Sequence, residues 1–186
     1  MEEITRDIIE RAAGGDMDAF EVIYKAASGF VFNLALRITN SRPDAEETTQ
    51  DIFIRIYDNL KRFEFRSSFK TWIYRIAVNT AINVYNRNIR NTGRRVDFDT
   101  IIETHGYSPE IKEEAEKSEE KKMLSLLLTA LTPDHRAVIV LREIEGLSYG
   151  EISEALKINL NTVRSRLKRA REILLERGKK AVADEL

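Results

Sequence analysis

The chain has no cysteine, and only 2 histidines, 3 prolines and 8 glycines among its 186 residues. Without cysteine there is no disulfide, no thiolate zinc site and no cysteine redox sensor. The two histidines, His105 and His135, come with no metal-ligand spacing, phosphate loop or nucleophile motif. No metal, no cofactor and no catalytic residue is therefore expected, and His135 reads as a surface residue in the first turn of a helix. Few glycines and prolines, with little β-branched alternation, point away from sheets and toward an all-α fold. A dominant charge is missing as well: 30 Lys+Arg against 31 Asp+Glu leave a formal net charge of -1. The whole chain is no polycation, so any nucleic-acid site has to be a local concentration of basic residues. The opening MEEITRDIIERA carries acids where a signal peptide needs positive charge. No apolar run approaches the length of a membrane span. A cytoplasmic protein without membrane insertion is the expectation.

The most informative stretch is residues 146–177, GLSYGEISEALKINLNTVRSRLKRAREILLER. Ser148 and Glu151 have the spacing of a capping box, so a helix starts there. Ile152, Ala155 and Leu156 share one face of it. Asn159 or Asn161 serves as a turn or N-cap residue, and a second helix follows. Its apolar stripe is Val163, Leu167, Ala170 and Leu174. The other faces carry Arg164, Arg166, Lys168, Arg169 and Arg171, while Glu172 and Glu176 are the only acids between Lys157 and Lys180. Two helices, a short turn and a basic second helix match the helix-turn-helix that enters the major groove. Thr162, Arg164, Ser165 and Lys168 lie near the N-terminal end, where base edges are read. Arg166, Arg169 and Arg171 suit phosphates, which position without specifying. A merely solvated basic helix is the competing account, and the local charge imbalance favours DNA.

Upstream, Ile4 to Ala13 reads as a short amphipathic helix, and Asp16 caps a long one with a core stripe of Phe20, Ile23, Tyr24, Ala27, Phe30, Val31, Leu34 and Ile38 and room for an irregularity at Ser28-Gly29. A turn at residues 40–43 precedes a helix to about Phe63. Thr49, Ile52, Phe53, Ile56, Tyr57 and Leu60 form its buried face, and Glu47, Gln50, Asp51 and Arg55 lie mainly outside. Those polar residues suit either an ordinary solvated face or a docking face. After a loop, a helix from Phe69 to about Arg90 sets Trp72 and Tyr74 among Arg75, Asn79 and Asn83. Aromatics interleaved with Arg and Asn suit unpaired bases, which stack on rings and expose their edges; core anchoring is the alternative for Trp72 and Phe69, and Trp72 is expected to be at least partly core. Residues 93–117 lose periodicity and are rich in acids, a linker by composition. Asp134 is taken to cap a later helix that Gly146 closes. The expected architecture is two small helical domains joined by a flexible linker: 1–92, 93–117 as linker, and 118–186 with the helix-turn-helix.

Three blocks, PDAEETTQDIFIRIYDNL, FRSSFKTWIYRIAVNTAINVYNR and LTPDHRAVIVLREIEGLSYGEISEALKINLNTVRSRLKRARE, resemble bacterial sigma factors of the extracytoplasmic-function group. The likeness runs from about Ile8 to Arg177, leaving out the linker. It implies a protein that binds core RNA polymerase and directs it to promoter DNA. The first domain would melt and read the minus-ten element, and the second would read the minus-thirty-five element. The helix after Pro43 would dock on the polymerase clamp helices through Gln50 and Asp51. Phe63 and Asn79 would contact the displaced strand, Asn79 at the place of a flipped base. Arg164, Ser165 and Lys168 match groove-facing positions; Arg166, Arg169 and Arg171 match backbone contacts. Asn161 stands where small residues are frequent in the family, and Ser67-Ser68 lies in a variable loop, so the promoter sequence is left open. The resemblance also implies an anti-sigma factor as partner. Two other readings compete: a sigma-like decoy that titrates an anti-sigma factor, and a conventional dimeric helix-turn-helix regulator. The first lacks an attached regulatory domain here; the second leaves the clamp helix and the aromatic loop without a purpose.

Overall fold

Short polar side chains decide where the helices begin. In the computed structural model, which describes residues 4–91 and 118–184, Thr5 caps α1 (Arg6–Ala13) and Asp16 caps α2 (Met17–Thr39). Each side chain accepts from an otherwise orphaned amide. Ser41 does the same for α3 (Arg42–Leu60), with Pro43 in the first turn, where a missing N–H is harmless. Ile4 therefore stays outside α1, and Arg42-Pro43, expected in a turn, opens α3. The fourth helix, α4, spans Phe69–Asn91.

Helix α2 runs without a break through Gly29, which has open space around it. The expectation that no apolar run nears membrane length is corrected here. The 23 residues of α2 have a mean hydropathy of 1.3 in their most apolar window, long and apolar enough to cross a bilayer by length and composition. Its use in this fold is different: Ile23, Ala27, Val31, Leu34 and Ile38 are fully buried, and the helix packs against α3 and α4. Tyr24 of the expected stripe turns outward instead, 46% exposed. In α3, Ile52, Phe53, Ile56 and Leu60 point inward as expected. Thr48 rather than Thr49 completes that face, while Tyr57 points outward with 42% of its surface exposed.

The second domain contains α5 (Ser118–Thr129), α6 (Pro133–Ile139), α7 (Tyr149–Leu156) and α8 (Leu160–Asp184). Thr132, not Asp134, caps α6 by accepting from the His135 amide. Helix α6 then continues into a π-helical turn over Val140–Ile144, and Gly146 at φ 74 turns the chain. The capping box of α7 is complete: Ser148 accepts from the Glu151 amide, and Glu151 accepts from the Ser148 amide. Lys157 takes a left-handed conformation at its end, and Asn159 Oδ1 accepts from the Thr162 amide at 2.7 Å to start α8. Val163, Leu167 and Ala170 are buried, as their spacing requires. The expected linker, 93–117, and His105 within it lie outside the described residues.

The two helical domains pack on each other, α6 against α2 and α4, and α7 against α4. Arg136 is the centre of this contact, only 1% exposed. Its Nε donates to Leu128 O (2.8 Å) and its Nη2 to Leu131 O (3.1 Å), both in its own domain, while Nη1 donates to Ile38 O across the junction at 2.6 Å. Burial pulls its pKa down. The guanidinium nonetheless remains charged, with carbonyls at the C-terminal ends of α2 and α5 as its compensation.

Candidate nucleic-acid interface

Arg75, Asn79 and Asn83 recur every four residues, so they form one row along α4. Arg55, Asn59 and Arg62 form a matching row on α3. Both rows line one concavity of about 380 Å³, together with Trp72, Ile76, Thr80 and Lys157. Its charged lining is entirely cationic: Arg55, Arg62, Arg75 and Lys157. Asn79 and Asn83 are exposed and Arg75 is half-buried. Guanidinium groups for phosphates and amide side chains for base edges make a surface suited to single-stranded nucleic acid. Sequence reasoning had put Arg55 with the α3 docking residues; it lines this concavity with the α4 residues. Asn59, Arg62 and Lys157 were missed. The first two could have been found from their four-and-three spacing after Arg55, but Lys157 comes from the other domain.

Phe63 and Trp72, both expected at DNA, are packed inside an aromatic cluster and are 8% and 6% exposed. The Phe63 ring lies 4.7 Å from Phe65, 5.3 Å from Phe69 and 5.2 Å from Trp72 between centroids. Phe69 stacks on Trp72 at 5.6 Å. These rings cover one another, so in this arrangement they hold the loop between α3 and α4 in place. The ring that the loop presents to solvent is Phe65, which the sequence reading passed over. It is 37% exposed, sits at a left-handed φ of 55 and has the Arg6 guanidinium 4.5 Å from its centroid. A bulky residue in that region is strained, and such strain concentrates at functional loops.

On α8 the base-reading candidates are accessible. Asn161, Arg164, Ser165 and Lys168 are exposed, and Thr162 is half-buried under its bonds to Asn159. Arg164 Nη1 donates to Asn161 Oδ1 at 3.1 Å. The three residues expected on phosphates each hold a carboxylate instead. Arg166 pairs with Asp134 at 3.0 Å, Arg169 with Glu172 at 3.4 Å and Arg171 with Glu143 at 2.6 Å. Exposed pairs of this kind contribute at most about 1 kcal/mol, so Arg169 and Arg171 can exchange them for phosphate. Arg166 is the least exposed of the three arginines, at 28%, and its pair ties α8 to the start of α6.

The expected docking face on α3 is partly engaged. Glu47 accepts from Arg87 of α4 at 3.4 Å, Gln50 is exposed and Asp51 half-buried. Ile54, one turn on, is 59% exposed. An apolar side chain so open among polar neighbours has the character of a contact surface. Among the described residues no group of three His, Asp or Glu could hold a metal ion.

Two family profiles match the chain. Sigma-70 region 2 covers residues 23–91, and sigma-70, region 4 covers residues 121–174. The chain is 37% identical over 184 residues to the ECF RNA polymerase sigma-E factor of Escherichia coli (strain K12), covering 93% of this chain and 94% of that one. It is 34% identical over 177 residues to the ECF RNA polymerase sigma-E factor of Haemophilus influenzae, covering 90% and 91%. Among solved structures, the sigma factor RpoE of Bartonella quintana, in complex with the anti-sigma factor NepR, superposes with a TM-score of 0.63 at 23% identity. It covers 84% of this chain and 94% of its own, a likeness of fold. Profiles of sigma region 2 over α3 and α4 and of region 4 over the helix-turn-helix, with relatives aligned over nine-tenths of the chain, converge on one assignment: the chain belongs to the extracytoplasmic-function group of bacterial RNA polymerase sigma factors.

Proposed function

We propose that this sigma factor divides promoter recognition between two surfaces and leaves the chemistry to polymerase. The concavity between α3 and α4 takes the displaced minus-ten strand. Asn79 holds a flipped base by its edge, Asn83 flanks it, and Arg55, Arg62 and Arg75 track the phosphates. In the major groove of the minus-thirty-five element, Asn161, Thr162, Arg164, Ser165 and Lys168 face base edges, and Arg169 and Arg171 hold the backbone. Arg166 positions the helix through Asp134. Core polymerase docks on the α3 face of Glu47, Gln50 and Asp51, and Ile54 adds an apolar contact there. An anti-sigma factor is the regulatory partner, the class named with the Bartonella relative. The protein works in the cytoplasm, where polymerase and promoter meet.

The observation that best supports this reading is the pairing of two separate basic surfaces with a chain whose total charge is -1. A decoy would have no need of Arg164 and Lys168, which stay exposed on the recognition helix. The assignment on α8 is tested by salt dependence. Arg169→Ala weakens duplex binding by several-fold on every sequence and lowers the slope of log K against log salt by about 0.9, one phosphate contact. Lys168→Ala alters base preference instead. A slope unchanged in Arg169→Ala would remove that residue from the backbone contacts.

A further inference from the structure

Arg164 is held differently from the next three arginines of α8. Arg166, Arg169 and Arg171 each pair with a carboxylate. Arg164 has no carboxylate partner among the described residues; its Nη1 donates to Asn161 Oδ1 at 3.1 Å. The two residues are three apart on the helix, so they are neighbours on one face, and both are exposed. Only the amide oxygen of Asn161 can accept from a guanidinium, which fixes the way the amide points.

That bond decides what each side chain can offer a base. Asparagine reads adenine with both amide atoms, the oxygen to N6 and the nitrogen to N7. With its oxygen engaged by Arg164, Asn161 has no such pair to present. Arg164 keeps its Nε–Nη2 edge, two parallel donors of the kind that meet guanine O6 and N7. The neighbouring hydroxyls do not compete for that base. Thr162 Oγ1 donates to Asn159 Oδ1 at 3.0 Å, and Ser165 Oγ donates to Thr162 O at 3.1 Å. Both hydrogens are spent within the helix, so toward DNA these oxygens only accept. A free arginine loses many rotamers on meeting a base, and one already tethered loses fewer.

We propose that Asn161 is a positioning residue for base reading: it tethers Arg164 so that the pair recognises a guanine, not an adenine, in the minus-thirty-five element. Arg164 makes the contact, and Asn161 acts through it. The proposal rests on the assignment of α8 to that element, and its test separates the two.

The full-length protein is assembled with core polymerase, and the holoenzyme selects templates from a promoter library randomised over the minus-thirty-five element. Arg164→Ala lowers the preference for guanine at one base pair by about 5- to 150-fold, the range for one bidentate contact. Asn161→Ala lowers it at the same base pair by about three- to tenfold, because the untethered arginine has more freedom to lose. The double variant loses no more than Arg164→Ala alone, the non-additivity of residues that act as a unit. Asn161→Asp keeps an acceptor for Arg164 but has no amide donor, so it retains the guanine preference even where its charge weakens binding to every template. An effect of Asn161→Ala at a different base pair, an additive double variant, or loss of the preference in Asn161→Asp overturns the tether. An Arg164→Ala variant with unchanged preferences, or one whose lost base is an adenine, overturns the guanine contact. If Lys168→Ala still shifts a base preference in that case, the assignment of α8 to the minus-thirty-five element survives. No shift in any of these variants removes the assignment and the proposal together.

Discussion

Asn79→Ala leaves core polymerase binding unchanged and lowers the rate of open-complex formation by about 10- to 100-fold. Asn79 is exposed on α4 and lines the cationic concavity without contributing to the core. Its removal therefore leaves folding and the proposed docking face on α3 intact. Its amide has both a donor and an acceptor, which is what the edge of an extruded base needs. A well-placed pair of such bonds is worth roughly 1–3 kcal/mol of discrimination, and a flipped base that is not captured returns to the stack. Polymerase retention on a column and a stopped-flow melting assay with a fluorescent base in the minus-ten element measure the two effects separately. Normal melting in this variant would show that the strand is held elsewhere. The exposed Phe65 ring would be the next residue to change.

Trp72→Ala has a different signature. Trp72 is 6% exposed and packs against Phe63 and Phe69 at 5.2 and 5.6 Å. Truncating a buried tryptophan costs about 3–5 kcal/mol. In a domain of this size each kcal/mol moves Tm by about 4–8 °C. The first domain should thus melt about 12 °C or more below the parent, and the loop that carries Phe65 should lose its order with it. Calorimetry decides the point. A variant that melts like the parent but fails to open promoters would make Trp72 a surface contact and contradict the packing described for the aromatic cluster.

Local signals read correctly from sequence because their causes are local. The Ser148–Glu151 capping box joins groups three residues apart. The stripe of Val163, Leu167 and Ala170 follows from helical periodicity alone, and the exposure of Arg164, Ser165 and Lys168 follows from lying off that stripe. Tyr74 read as polar-face company for Arg75 and Asn79, yet it is buried, because the face of α4 that it occupies is covered by a second domain more than fifty residues away. Arg136 gave no signal for the same reason: its third acceptor is Ile38 O, 98 positions upstream. Lys157 joined the concavity only once the domains were docked. Trp72 was open to both readings, because an aromatic among basic residues reads alike whether its ring faces a base or another ring, and Phe63 was placed at DNA by the family resemblance alone. The core stripe of α2, by contrast, was legible for the same local reason as that of α8: Ile23, Ala27, Val31, Leu34 and Ile38 follow helical spacing and are buried against α3 and α4.

The central claim, that this chain directs polymerase to promoters, is tested most directly by adding it to core RNA polymerase and sequencing run-off transcripts from a random promoter library. Retention on core polymerase, with initiation confined to templates that share two elements at fixed spacing, is the predicted result. No retention by an intact, folded protein would contradict it and leave a conventional helix-turn-helix regulator. Retention without initiation would contradict the melting role of the α3–α4 concavity.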